Sequence, residues 1–312
     1  MLKRLLLLPV VLWAIYTITF IMVVAVPGNP FQTGERSQDD AASRAIMARY
    51  KADDNVSFYF SYMSNLFQPA KFMRGEGPLI DLGPSWKYRD WTCNQIISAS
   101  LPVSVSLGLV AMLIACLVGI PAGVISAVKR GSPIDFATLA LSLIGISLPS
   151  FVVGISLLIV FAIWLNWFPV GGWGSISQIW LPAVTLSLPF MAYIARLTRL
   201  GMMDVMESDY IRTARAKGLS NSQVIWKHAL KNAFLPVLSF LGPALAAAMT
   251  GSFVVETIYN IPGIGQHFVN SVENRDRAMI LATVIMFSAV IIIFNLLVDM
   301  AYALVDARIE LE

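Results

Sequence analysis

The chain has 312 residues, of which 57% are hydrophobic and only 13% charged, and its mean hydropathy is +0.71. Soluble domains average about 45–50% apolar and about 25% charged, and a lipid-facing surface cannot carry the charge that a water-facing one needs. The composition excludes an ordinary soluble enzyme and points to an integral membrane protein; the net charge of +3 is small and informs only through its location.

A helix needs about 20 predominantly apolar residues to cross a bilayer. The first candidate, residues 5–26, follows Lys3 and Arg4. These bases resemble the start of a signal peptide. The apolar run is longer than the roughly 7–15 residues of a signal core, and no clear small-x-small cleavage site follows, so a retained helix is expected. Further spans are expected at residues 101–128, 136–165, 179–200, 233–258 and 279–305. The fold class is therefore an all-α membrane protein with six transmembrane helices. Its expected parts are an N-terminal helix (1–26), an external subdomain (27–98) and a core of five spans (99–312). Six spans place both termini on one side. Lys3, Arg4, Lys129, Arg130, Arg196, Arg199, Arg212, Arg215, Lys217, Lys227, Lys231 and Arg308 collect on that side, which the positive-inside rule makes cytoplasmic.

The segment 27–98 is too long and too patterned for a linker. Asp54 or Asn55 can cap a helix. Val56, Phe60, Met63 and Phe67 then recur at helical spacing and form one apolar face. A shorter helix is expected near 41–51, and Gly75, Gly77, Pro78, Gly83 and Pro84 mark turns. The simplest use of such a subdomain is to cover the mouth of the membrane part.

Catalysis finds little support. His228 and His267 are the only histidines, and the topology puts them in opposite compartments. No Ser-His-Asp or Cys-His unit assembles, no zinc motif is present, and no phosphate loop binds ATP. Two cysteines, Cys93 and Cys116, are too few for a disulfide framework. Asp135, Arg196, Arg199, Glu256, Asp299 and Asp306 fall near predicted span ends, where side chains reach water. A midplane carboxylate, the usual mark of a proton-coupled carrier, is not expected. The sequence Ser-Leu-Pro occurs at Ser100–Pro102, Ser147–Pro149 and Ser187–Pro189. Proline kinks helices, either as ordinary bends or to shape a central path. The small residues from Gly242 to Gly251 suit close helix packing or an interface with a second membrane subunit.

The largest basic segment lies at 201–232. Glu207, Asp209 and Arg212 stand near a helix start, and Ala214 and Ala216 are small enough for a partner to sit close. Gly218 can end the helix in the left-handed conformation. Ser220 or Asn221 can cap a second helix carrying Val224, Ile225 and Leu230 on one side. Two capped helices with an apolar seam are more than positive-inside charge requires.

This segment, with YIRTARAKGL at Tyr210–Leu219, His228–Asn232 and then Leu235-Pro236, resembles the EAA loop of ABC importer permeases in the dipeptide/oligopeptide/nickel branch. Pro27–Pro30 (PGNP), Asp81–Ser85 (DLGPS), Glu256–Gly265 (ETIYNIPGIG) and Asn274–Asp276 (NRD) are similar to further elements of that branch. Gly34–Ser37 and Ser85–Asp90 resemble its B-type oligopeptide subunit. The resemblance implies a type I importer permease fold. It implies that Arg212, Ala214, Arg215, Ala216, Lys217, Gly218 and Leu219 couple to an ATPase. Glu256, Pro262, Gly263, Gly265, Arg275 and Asp276 would form the family signature. The general motif has glutamate where this chain has Arg212. The implied partners are a second homologous permease, two cytoplasmic ATP-binding subunits holding ATP and Mg, and an external substrate-binding protein that delivers peptide. The chain itself would carry no cofactor, metal or catalytic site and bind no nucleic acid. Nickel or another small solute is the alternative cargo, and a passive channel the alternative class.

Overall fold

A computed structural model describes residues 2–25, 41–51, 54–88 and 90–305. The Pro27–Pro30 and Gly34–Ser37 matches, Asp306 and Arg308 lie outside the described residues, as do the side chains of Lys3, Arg4 and Asp299. Among the described residues all regular structure is helical, apart from two isolated bridges, Phe67 with Ile80 and Pro84 with Thr92.

The helices in chain order are α1 (Leu2–Ala25), α2 (Ala41–Tyr50), α3 (Asn55–Leu66), α4 (Pro69–Met73), α5 (Cys93–Val128), α6 (Pro133–Ser147) and α7 (Ser150–Leu157). A π-helical run, Leu158–Trp164, continues α7. Then come α8 (Ile176–Met206), α9 (Asp209–Ala216) and α10 (Asn221–Gln223), which passes through a π-helical run, Val224–Ala229, into α11 (Leu230–Ala233). The last are α12 (Leu235–Met249), α13 (Phe253–Ile258), α14 (Ile264–Glu273) and α15 (Arg277–Val305).

Four of these contain unbroken runs long and apolar enough to cross a membrane: Leu7–Ala25, Cys93–Val128, Ile176–Met206 and Arg277–Val298. The count reaches six if each of two bent pairs forms one span. The third expected span is such a pair, with α6 and α7 meeting at 106°. Leu148 is extended at the break, as a residue before proline tends to be, and Pro149 caps α7. The other Ser-Leu-Pro sites behave differently, since α5 runs through Pro102 and α8 through Pro189. The fifth expected span is also shorter than predicted. Residues 221–233 and 235–249 meet at 55°, α12 ends at Met249, and Gly251 at φ +87° separates α13 from it.

By their contacts the residues form two units, one ending at Val103 and including Gly263–Val290, the other Ser104–Pro262 with the part from Ile291. The first has an aromatic core of Tyr16, Phe20, Tyr50, Phe58, Tyr62 and Trp86, with Ile264, Met279 and Leu281. Asp54 caps α3, its carboxylate accepting from Ser57 N at 2.9 Å. The buried face of α3 is not the predicted one. Phe58 and Tyr62 point inward, whereas Val56, Phe60 and Phe67 are 66%, 65% and 60% exposed. Of the predicted stripe only Met63 packs on the core.

In the second unit α8 packs against α6, α7, α11 and α12. Glycines of α5 allow backbone-to-backbone approach. A Cβ on Gly108 would stand 2.5 Å from Ala248 O, and one on Gly123 2.4 Å from Ala195 O. The small-residue stretch of α12 is thus consumed largely by packing inside the chain, with Ala244, Ala246 and Ala248 buried.

Candidate functional site: the polar hairpin and the signature elements

α9 is amphipathic because Ile211 and Ala214 fall one turn apart while Arg212, Thr213, Arg215 and Ala216 point away. Ile211 and Ala214 are buried with Val124, Met202, Val224, Ala229 and Ala233, and Leu219, Ile225 and Leu230 pack beside them. The helix then stops in a Schellman motif. Leu219 N bonds Ala214 O at 3.4 Å, Gly218 N bonds Arg215 O at 3.0 Å, and Gly218 takes φ +80°. Ser220 caps the next helix in a reciprocal box with Gln223. Asn232 Nδ2 donates to Tyr210 Oη at 2.8 Å and ties the two limbs.

The seven residues assigned to coupling therefore divide. Arg212, Arg215, Ala216, Lys217 and Gly218 are exposed and form a basic tip, and a Cβ on Gly218 would meet nothing within 4 Å. Ala214 faces inward and Leu219 is half-buried, so they seat the tip instead of presenting a contact. The Arg212–Asp209 pair at 3.2 Å is fully in solvent, and such pairs contribute about 0–1 kcal/mol.

The signature residues are more buried. Asp276 is 2% exposed, and its Oδ2 accepts from Ser85 Oγ, Trp86 N at 3.0 Å and Lys87 N at 3.2 Å. Its Oδ1 accepts from Met279 N at 3.1 Å in the first turn of α15. Burial pushes this carboxyl up from its ordinary pKa, and the hydrogen bonds from Ser85, Met279 N, Trp86 N and Lys87 N oppose that shift. Two motifs far apart in sequence, Asp81–Ser85 and Asn274–Asp276, thus meet at one carboxylate. Gly83, at φ +81°, is packed where a Cβ would stand 2.9 Å from Tyr50 Oη. Arg275 is in the left-handed region at φ 57° and ends α14 in a second Schellman motif, through Asp276 N to Ser271 O and Arg275 N to Val272 O. Gly263 and Gly265 are buried at the start of α14. In the other unit Pro262 is exposed, and Glu256 is buried with Ser104 Oγ donating to Oε1 at 2.7 Å.

Two expectations about charges near span ends are overturned. Glu256 does not reach water, because it is enclosed beside Ser104. Asp135 is also buried, held by Arg199 through Nε at 2.7 Å and Nη2 at 2.9 Å, by Ser126 Oγ, and by Gly131 N at 2.9 Å. Sequence reasoning named Asp135 and Arg199 separately but missed their pairing; opposite charges at the ends of two apolar runs were the available signal. Cys93 and Cys116 are both free thiols.

Apolar spans joined by a seated polar hairpin define a multi-pass membrane protein of the transporter class. Residues 119–311 match the model for the binding-protein-dependent transport system inner membrane component. The chain belongs to that family, the permeases of ABC importers. It is 45% identical to the oligopeptide transport system permease protein OppB of Salmonella typhimurium, covering 96% of this chain and 95% of the relative. The OppB of Escherichia coli K12 is 44% identical over the same shares. The dipeptide transport system permease protein DppB of Bacillus subtilis is 40% identical, covering 100% of this chain and 97% of the relative.

Proposed function

We propose that this chain is one membrane half of an ATP-driven peptide importer, with six spans and both termini in the cytoplasm. The observation that carries the reading is the exposed basic tip Arg212–Gly218 on its buried seat of Ile211 and Ala214. A tip fixed by a Schellman motif and a capping box transmits a push to the spans beneath it, whereas a loose loop would absorb it. The end-to-end likeness to permeases named for oligopeptides and dipeptides supports peptide over nickel or another small solute. A second homologous permease completes the path. Two ATP-binding subunits hold ATP and Mg and grip the tips, and an external binding protein delivers the peptide. The chain is the conduit and not an enzyme.

The mechanism is alternating access. Closure of the ATPases draws the two tips together, and α8, which ends at Met206 just before α9, carries the motion into the membrane. A ligand shifts such an equilibrium only by its differential affinity for the two states. ATP and the loaded binding protein must therefore both prefer the outward-facing form.

The test is purification in mild detergent followed by peptide-stimulated ATP hydrolysis. A second multispan chain and ATPases should co-purify, and peptide with binding protein should raise turnover. Gly218→Glu should insert normally and lose the ATPases, while Gly218→Asn, which tolerates the left-handed region, should keep them. A protein that purifies alone as a defined oligomer points to a channel. Stimulation by nickel and not by peptides would replace the cargo.

A further inference from the structure

We infer that α3 is not a water-facing helix of the external subdomain but lies beside α1 within the membrane, with Val56, Phe60 and Phe67 against acyl chains. This inference is independent of the import reading.

The first observation is depth. Tyr16 Oη donates to Tyr59 O at 2.8 Å, and Thr17 Oγ1 shares a hydrogen bond with Tyr59 Oη at 2.8 Å. The rings of Phe20 and Phe58 are 5.4 Å apart. Tyr16 and Thr17 lie well inside the apolar run Leu7–Ala25. At 1.5 Å per residue they are about 12–14 Å from its Ala25 end. α3 therefore runs beside the membrane-spanning part of α1, not above it.

The second observation is charge. From Asn55 to Ala70 the chain has no Asp, Glu, Lys or Arg. A solvated helix of an external subdomain would carry charge on its outer face, yet this one presents Val56 and Phe60, with Phe67 following at its end. The third is satisfaction of polar groups. Ser61 Oγ donates to Arg49 O at 3.2 Å, Ser64 Oγ to Ser61 O at 3.0 Å, and Asn65 Nδ2 to Ser61 O at 2.7 Å. Polar groups met by backbone carbonyls leave an outer surface compatible with lipid, where an unmet group is costly. An uncharged helix bonded to the apolar part of its neighbour this way is tethered to its own span.

The test is a nitroxide placed singly by Val56→Cys, Phe60→Cys or Phe67→Cys in the full protein with its co-purifying chains, in phospholipid nanodiscs. Glu76→Cys, exposed on the turn beyond α4, serves as the water reference. The unsubstituted protein, with Cys93 buried and Cys116 half-buried, is the labelling blank. Collision with oxygen should exceed collision with a water-soluble nickel chelate several-fold at 56, 60 and 67 and be reversed at 76. High chelate access at 56 and 60 would mean a water-facing helix and overturn the inference. Protection from both probes would mean a protein cover, from a second subunit or a bound delivery protein, and overturn it equally. Two independent positions on α3 guard against one disruptive substitution.

Discussion

Asp276 shows how much one carboxylate organises. It holds Ser85, Trp86 N and Lys87 N on one oxygen and the first turn of α15 on the other. An amide at this position offers one acceptor oxygen and turns a donor toward two backbone N–H groups. Each buried donor left unmet costs about 1–3 kcal/mol. Asp276→Asn is expected to loosen the segment from Gly83 to Trp91, read as faster amide exchange at Trp86 and Lys87 with exchange in α8 unchanged. Unchanged exchange at both would remove the carboxylate from its assigned role. The neighbouring Arg275 carries a side chain where φ is 57°. A left-handed residue with a Cβ costs roughly 1–2 kcal/mol, so Arg275→Gly should raise the thermal midpoint in detergent. A lowered midpoint would show that the arginine side chain contributes more than its backbone costs.

Helices in a membrane do not gain from hiding apolar surface from one another, so close backbone approach decides their packing. Gly123 of α5 is the sharpest case, because an added Cβ meets Ala195 O and the Thr198 side chain at 2.4 and 2.6 Å. Overpacking of this kind costs about 1–3 kcal/mol. Gly123→Val should lower the thermal midpoint and the yield of folded protein. Gly77→Ala, with nothing within 4 Å of the new Cβ, should leave both unchanged. If the two variants behave alike, the contact between α5 and α8 is not as close as described. The ion pair of Asp135 and Arg199 ties α6 to α8, with Ser126 adding α5. Lysine cannot reproduce the two-pronged geometry of arginine, so Arg199→Lys should also lower the midpoint.

At the scale of the molecule, the proposed orientation rests on where the bases collect, and it is open to direct measurement. In intact cells a membrane-impermeant maleimide should label Glu76→Cys and spare Lys129→Cys, exposed just after α5 and outside the basic tip, which becomes reactive only after permeabilisation. The opposite pattern would invert the topology and place the basic tip outside, beyond reach of a cytoplasmic ATPase. The two bent pairs bear on the same question. If each crosses the membrane once, the spans number six and the termini share a side; a re-entrant pair would break that parity.

Much of this protein follows from local sequence. The membrane class comes from the missing charge, and the hairpin comes from the apolar spacing of Val224, Ile225 and Leu230 behind Gly218 and Ser220. Asp54 and Ser220 cap where short-range hydrogen bonding places them, since caps and left-handed stops depend on neighbours within one turn. The tertiary structure alone decided the rest. It chose Phe58 and Tyr62 over Val56 and Phe60 as the inward face of α3, broke the chain at Pro149 but not at Pro102 or Pro189, and paired Ser85 with Asp276, Ser104 with Glu256 and Asp135 with Arg199. The reason is the solvent. In water the apolar face of a helix declares which side is buried, but beside a bilayer both faces are apolar, and only packing and the pairing of buried polar groups distinguish protein from lipid.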